Sequence, residues 1–177
     1  FRHNLKDKEY PNGAVTMLVK CLTDTQEARS KTTAEALFDE AQFLDPDFLP
    51  DIEQCQKASN MPSTIYAGTS TTMETLLETK FLSSSQASWL IRAPGYESGS
   101  AGKGWINCGD KDDVLKCIKP QGFTHPVTNK VLDVTDGHFV HQEMDRFEQG
   151  YLGFHIPQII IPDYANKPEK WMDVWNA

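Results

Sequence analysis

The sequence predicts an α/β protein whose first part alternates strands with helices and whose second part is smaller and rich in strands. Alternation of strand and helix is typical of parallel sheets, because a helix returns the chain to the start of the next strand. In the second part, Asp136-Gly137 lies between two apolar pieces, and this dipeptide is a strong signal for a hairpin. We therefore predict two parts, residues 1–94 and residues 95–177.

The strands predicted for the first part are short apolar runs bounded by turn residues, with helices between them. The first helix ends before Met61-Pro62, because a residue that precedes proline is pushed out of the α region. The predicted strands are 14–20, 36–38, 63–67 and 88–94, and the predicted helices are 48–58 and 73–82.

The second part begins with a glycine- and serine-rich segment, Gly95 to Gly104, which predicts a loop. A short helix is predicted from Asp110 to Ile118, and the Asp110 carboxylate is expected to cap its first turn. Two β-like pieces follow between Phe123 and His141. The tail from Lys167 to Ala177 has the pattern of an amphipathic helix.

Composition limits the class of protein. Of the 177 residues, 39% are hydrophobic and 24% are charged, which is typical of a chain with an ordinary globular core. Apolar runs such as Ile159 to Ile161 are far shorter than the roughly 20 residues of a membrane helix, so no membrane contact is predicted. A net charge of -8 argues against a free-standing protein that holds nucleic acid by bulk electrostatics.

The four cysteines lie far apart, and no two of them form a C-x-x-C pair. This spacing predicts reduced thiols in a cytoplasm rather than a disulfide framework. The chain opens on Phe1 without an initiator methionine and without the apolar stretch of a signal peptide, so we expect a piece of a longer protein.

The strongest chemical signal is the pair Asp39-Glu40 at the end of the predicted strand 36–38. Two carboxylates at the end of a strand suit nucleotide hydrolysis, because one can hold hydrated Mg²⁺ while its neighbour polarises the attacking water. On this interpretation Asp39 has the metal role and Glu40 is the general base. The alternative is that both residues only begin a solvent-exposed loop.

A second signal is the run of hydroxyl residues after Gly68, at the end of the predicted strand 63–67. Such residues can lie beside a γ-phosphate, since ligands of open α/β sheets bind at the carboxyl ends of the strands. Thr71 or Thr72 is also expected to cap the following helix, and this structural role is compatible with the functional one.

The ordered set of motifs resembles the large terminase subunits of tailed bacteriophages, the ATP-driven motors that package DNA into proheads. The similarity extends over nearly the whole chain. The segments that carry it are EYPNGAVTMLVK, Arg29, ALFDEAQFLDP, IYAGTSTTMETLLETKF, LDVTDGHFVHQE and GYLGFHIPQIIIP.

The resemblance implies that residues 1–94 are the second half of an ASCE or RecA-like ATPase sheet. Residues 95–177 would be a connecting subdomain, similar to a degenerate zinc ribbon, with a C-terminal helix. The implied cofactors are Mg²⁺ and ATP. The implied partners are double-stranded DNA, the portal protein, the small terminase subunit and further copies of the chain, in the cytoplasm of the host cell.

The resemblance also implies residue roles. Asp39 would be the Mg²⁺ ligand and Glu40 the catalytic carboxylate of the Walker B element. Arg29 is a possible phosphate contact or trans arginine finger, or alternatively an ordinary exposed residue. The residues of the coupling motif, which reports the state of the γ-phosphate, would be Gly68, Thr69, Ser70 and Thr71.

The sequence departs from this family first in the Walker A loop, which it lacks before Ala36. No G-x-x-x-x-G-K-[ST] segment precedes Ala36, although such a loop holds the phosphates of ATP. Gly99 to Gly104 is only partly similar, because Glu97 stands where the first glycine is needed and Gly104 follows Lys103. We therefore expect the isolated chain to be inactive, with hydrolysis in the intact protein. The acidic cluster of a terminase nuclease is also not found.

Zinc is the second point of departure. Related terminases often carry two C-x-x-C pairs, whereas this chain has His125-Pro126-Val127-Thr128 where the second pair is expected. A tetrahedral site needs four close ligands, and the spacing here matches no standard finger. We predict that the segment from Gly95 to His141 folds without zinc. The candidate ligands are Cys108, Cys117, His125, His138 and His141.

Two other functions remain open at this point. The chain could be a non-catalytic interaction or scaffold module that keeps an ATPase-derived fold without a nucleotide site. It could also belong to another DNA-dependent ATPase, such as a helicase core.

Overall fold

The computed structural model describes residues 7–9, 16–18, 32–69, 75–162, 167 and 170–171, the first two ranges in their backbone only. The chain divides into two compact units, Phe1–Leu77 and Glu78–Ala177. Both helices and strands are present, so the predicted α/β class is confirmed. The predicted boundary after residue 94 lies inside a strand, Ala87–Ser98, and the assignment of functions to residues 1–94 and 95–177 stays a prediction.

The first unit begins with a pair of short antiparallel strands. β1 (Asp7–Glu9) pairs with β2 (Thr16–Leu18), with Lys8 opposite Met17. The predicted strand 14–20 therefore contains β2, but its partner among the described residues is an antiparallel neighbour.

A strand–helix–strand unit follows and corresponds to the predicted alternation. β3 (Glu35–Phe38) and β4 (Ser63–Tyr66) pair in parallel, and α1 (Leu49–Gln56) lies between them in the sequence. Two 3₁₀ turns, Ala41–Phe43 and Pro46–Phe48, connect β3 to α1. A parallel pair needs such a crossover, because a tight turn can only join antiparallel strands.

Gln56 at the end of α1 fixes the helix to β4. Its amide nitrogen donates to the carbonyl of Ser63 at 2.7 Å, and its amide oxygen accepts from the Thr64 hydroxyl at 2.9 Å. Gln56 is buried, so these bonds satisfy both ends of an amide that water does not reach. The side chain thereby sets where β4 starts.

The two faces of the β3–β4 pair differ in burial. Phe38 and Tyr66 are partly buried and stack with their ring centroids 5.5 Å apart. Leu37 and Ile65, which are opposite each other in register, are 65% and 54% exposed. One face of this pair therefore presents apolar side chains to solvent.

The main sheet lies in the second unit and is mostly antiparallel. Its long strand β5 (Ala87–Ser98) pairs antiparallel with β6 (Gly102–Asn107) and β9 (Gly137–Val140). Only β10 (Phe154–His155) runs parallel to it, over Ala87 and Ser88. Parallel pairing in the described residues is thus limited to β3–β4 and this short contact. The main sheet does not form the parallel ATPase core that was predicted.

The predicted loop from Gly95 to Gly104 is wrong over most of its length. β5 continues to Ser98, and a turn at residues 99–101 leads directly into β6, which makes the two strands antiparallel. The register shifts between Arg92 and Glu97, and Gly95 there has φ of +87°. The glycines thus permit an irregular strand, where the sequence pattern indicated a loop.

Shorter elements complete the described fold. The Asp110 carboxylate accepts from the amides of Asp112 and Asp113, so the predicted N-cap is confirmed. The region predicted as helix 73–82 contains α2 in its described part. The helices are α2 (Leu76–Leu82), α3 (Lys111–Cys117) and α4 (Met144–Glu148), the short strands are β7 (Ile118–Lys119) and β8 (Gly122–Phe123), and a 3₁₀ turn spans Gln158–Ile160.

The hairpin predicted at Asp136-Gly137 is wrong at this position. Gly137 is the first residue of β9, and β9 pairs with β5 instead of with the residues before the turn. The glycine is needed for a close approach, because a Cβ at this position would lie 2.6 Å from the Leu90 carbonyl oxygen and 2.7 Å from the Trp89 ring. The dipeptide therefore marks a tight strand contact.

Gly137→Ala is accordingly expected to lower the free energy of unfolding of the second unit by about 1–3 kcal/mol, because the added methyl group overlaps backbone and ring atoms. Chemical denaturation followed by tryptophan fluorescence measures this. Gly99→Ala is the matched control, because a Cβ there meets nothing within 4 Å. Equal stability of the two variants would contradict the packing argument.

The buried core of the second unit lies between the main sheet, α3 and the segments that follow it. Phe123 and Trp171 meet edge to face in this core, with ring centroids 6.3 Å apart. Of the predicted tail helix, Lys167, Lys170 and Trp171 are described, and the other residues lie outside the described part. The core residues are Ile91, Ala93, Tyr96, Ile106, Cys108, Val114, Cys117, Ile118, Phe123, Val134, Ile159 and Trp171.

Within the described ranges, no helix has the length and apolar character that crossing a membrane requires.

Candidate functional site

The two motifs singled out in the sequence meet at the carboxyl ends of β3 and β4. The amide of Ala67 donates to the carbonyl of Phe38 at 2.8 Å, and the amide of Ala41 donates to the carbonyl of Ala67 at 2.9 Å. These bonds continue the strand pairing past the last paired residues. The segment Asp39–Gln42 after β3 and the segment Ala67–Thr69 after β4 are therefore neighbours.

Asp39 and Glu40 form a tight, exposed turn. Glu40 has φ of +53°, a left-handed conformation that is uncommon outside glycine and is often found at functional sites. Its amide donates to Oδ1 of Asp39 at 3.0 Å. Both carboxylates remain exposed, so a ligand can reach them from solvent.

Gln42 is a member of this site that sequence reasoning missed. Its Nε2 atom donates to Oε2 of Glu40, whereas its Oε1 atom is buried without a hydrogen-bond partner in the described part of the chain. The same oxygen occupies the space that a Cβ at Gly68 would need. The sequence does contain a signal for this contact: Gln42 follows Glu40 by two residues, and side chains at this spacing can meet across a tight turn.

The structure describes only some of the predicted site residues. Gly68 and Thr69 are exposed, and Gly68 lies against Gln42 and Ala41, directly after the turn at Asp39-Glu40. Ser70, Thr71 and Arg29 lie outside the described residues, so their predicted roles stay predictions.

The segment Gly99 to Gly104, which partly resembles a phosphate-binding loop, forms the turn between β5 and β6. Lys103 lies within β6, and a strand follows the loop in place of a helix. A phosphate-binding loop uses the amides at a helix N-terminus, and this segment does not supply them.

A buried carboxylate organises the second unit. Asp113, 1% exposed, accepts from the Tyr96 hydroxyl at 2.7 Å, from the Ser98 hydroxyl, and from the Asn107 amide at 3.2 Å. These donors connect β5 and β6 with the first turn of α3. Burial and the hydrogen bond to Asp113 raise the pKa of the Tyr96 phenol. The role of this hydrogen-bond network is therefore structural, because it joins β5 and β6 to α3.

Two of the candidate zinc ligands, His125 and His141, make hydrogen bonds to other groups, and a third, His138, packs edge to face on Trp105. His125 is buried; its Nδ1 accepts from the amides of Val127 and Thr128 at 3.1 and 3.3 Å. Its Nε2 therefore carries the proton and donates to the carbonyl of Pro94 at 3.1 Å. His141 Nδ1 bonds the Ser85 hydroxyl at 2.7 Å.

Cys108 and Cys117 are both buried in the core. Burial, with a smaller contribution from neighbouring negative groups, raises the pKa of each thiol to about 12. Thiolate is the form that binds metal, so each of these thiols would have to lose its proton on binding one. Among the residues described, no group of three or more histidine, cysteine or acidic side chains is placed to hold a metal ion.

The zinc-free fold stays a prediction, and metal analysis of the purified chain tests it. We expect substoichiometric zinc and no change in melting temperature with a chelator, because apolar burial can supply about 1.5–3 kcal/mol for each large side chain. Stoichiometric zinc, or loss of the second unit on chelation, would contradict this expectation.

Comparison of this chain with protein-family models, with curated proteins and with solved structures finds no match.

Proposed function

We propose that this chain is the central part of a phage DNA-packaging motor, in which ATP hydrolysis drives translocation of double-stranded DNA into the prohead. The observation that carries the proposal is the parallel β3–α1–β4 unit, which brings Asp39-Glu40 and Gly68-Thr69 to one edge. Ligands of α/β sheets bind at the carboxyl ends of parallel strands. An ATPase needs its metal-binding carboxylate, its base and its coupling segment at such an edge.

Residue chemistry supports the assignment of roles. Asp39 offers exposed carboxylate oxygens, the ligand type that Mg²⁺ prefers, and Glu40 next to it has an exposed carboxylate that can orient water. Bound Mg²⁺ would neutralise charge on the transferred phosphoryl group. Gly68 and Thr69, which follow β4 at the same edge, begin the segment that would respond to the γ-phosphate. The portal protein, the small terminase subunit and further copies of the chain are the partners of such a motor, in the host cytoplasm.

The intact protein that contains this segment provides the test. We expect ATP hydrolysis that double-stranded DNA stimulates, and we expect Asp39→Asn to weaken Mg²⁺-dependent nucleotide binding. The isolated 177-residue chain is expected to bind ATP no more tightly than about millimolar, because its sequence lacks the phosphate-binding loop and its lysine. Micromolar binding by the isolated chain, measured by calorimetry, would contradict this expectation of weak affinity.

A scaffold module is the second candidate, and the exposed pair Leu37 and Ile65 favours it. An exposed apolar strip of this kind is a surface to which another protein can bind. The two candidates differ in one result. An intact protein without nucleotide hydrolysis, whose partner binding is lost in Leu37→Ser, would favour the scaffold.

A further inference from the structure

We propose that Gln42 is a positioning residue that connects the base Glu40 to the coupling segment at Gly68. The inference rests on the proposed ATPase function and adds a residue to it. Gln42 touches neither nucleotide nor water in this role; it acts through the carboxylate of Glu40.

The contact with Glu40 defines the orientation of the Gln42 amide. An ionised carboxylate only accepts hydrogen bonds, so the amide end that meets Glu40 Oε2 has to be the NH₂ group. The other end, Oε1, is thereby directed away from Glu40 and towards Gly68. One planar group thus spans the distance between the base and the first residue of the coupling segment.

Among the described residues, the Oε1 end meets no hydrogen-bond donor. Its burial without a hydrogen-bond partner in the described residues is unfavourable, and a shift of the coupling segment that offered it a donor would stabilise the shifted state. A Cβ at Gly68 would overlap this oxygen, so residue 68 and the amide are immediate neighbours. A movement of residue 68 towards the amide would displace it, and the hydrogen bond to Glu40 would pass this displacement to the carboxylate.

The consequence is a connection between the state of the coupling segment and the alignment of the base. Alignment of a base affects the chemical step more than it affects binding of the substrate. Loss of the Gln42 contact should therefore lower kcat and leave KM for ATP nearly unchanged.

The test is a double-mutant cycle in the intact protein. Gln42→Ala removes the amide, and Gly68→Ala fills the space that the amide occupies. Gly68 has no left-handed backbone conformation, so alanine there adds no backbone strain beyond a tight 3.1 Å approach to the Ala41 nitrogen. We expect each single variant to lower kcat about 10-fold or more, with KM changed less than about threefold.

Non-additivity is the decisive readout. With the Gln42 side chain removed, the methyl group that Gly68→Ala adds has room, so the double variant should hydrolyse ATP at the rate of Gln42→Ala alone. Gln54→Ala, which replaces an exposed glutamine on α1, is the matched control and should leave kcat unchanged. Melting temperatures of all variants show that they are folded, and Gln42→Asn gives a milder change if Gln42→Ala is unstable.

The outcomes separate this inference from the function on which it rests. If Glu40→Gln is inactive while Gln42→Ala keeps its kcat, or if Gly68→Ala is equally harmful in both backgrounds, the inference is overturned and the ATPase stands. If Glu40→Gln retains hydrolysis, the base role of Glu40 and this inference are overturned while the ATPase stands, and if the intact protein hydrolyses no ATP, both are overturned.

Discussion

Glu40→Gln is expected to lower ATP hydrolysis by the intact protein by at least about 100-fold, with ATP affinity within a few-fold of normal. Glutamine keeps the shape of the side chain and removes the negative charge that accepts a proton from water. The exposed turn at Glu40 tolerates this change, since its backbone and the Asp39 contact are unaltered. Initial rates of phosphate release and equilibrium nucleotide binding measure the two quantities.

Glu35→Gln is the matched control for this prediction. Glu35 is an exposed glutamate at the other end of the same strand, so its substitution makes the same change in charge away from the site. We expect it to leave hydrolysis unchanged. If Glu40→Gln retained more than about a tenth of the rate, a role for Glu40 as the general base would be excluded.

Asp113→Ala is expected to cause the largest loss of stability, about 3–5 kcal/mol. The substitution leaves the hydroxyl groups of Tyr96 and Ser98 and the amide of Asn107 without their acceptor. Each unsatisfied buried donor costs about 1–3 kcal/mol, and part of this cost is recovered when water enters. Urea denaturation followed by tryptophan fluorescence reports the second unit, because all four tryptophans lie within residues 78–177.

Asp112→Ala provides the comparison for Asp113. Asp112 lies in the same first turn of α3 but is exposed, so its loss removes only a favourable interaction with the helix dipole, about 0.3–1 kcal/mol. Similar losses in the two variants would show that the buried network does not hold β5, β6 and α3 together.

Local signals in the sequence predicted several elements correctly. The helix in 48–58 and the strand in 63–67 depend on nearby residues: prolines at its start and beyond its end set the helix, and an apolar run between turn residues sets the strand. The cap at Asp110 is equally local, because the carboxylate bonds amides two and three residues ahead. Such patterns need no knowledge of distant parts of the chain.

Strand pairing was less predictable. The strand at 88–94 was expected, but its extension to Ser98 and its antiparallel partners depend on glycine conformations and on contacts with β6 and β9. Asp136-Gly137 satisfied the rule for a hairpin, whereas the glycine is needed because Leu90 and Trp89 approach it closely. A dipeptide rule cannot distinguish a turn from a close contact between distant residues.

The sequence by itself determined the α/β class, the short local elements and the position of Asp39-Glu40 after a strand. Only the tertiary structure decided that this turn meets the segment at Gly68, and that Gln42 lies between them. It also decided that the main sheet is mostly antiparallel and that His125 uses both ring nitrogens in hydrogen bonds. The reason is physical: helix periods and caps act within a few residues, whereas burial and hydrogen bonding between distant segments depend on the packed chain.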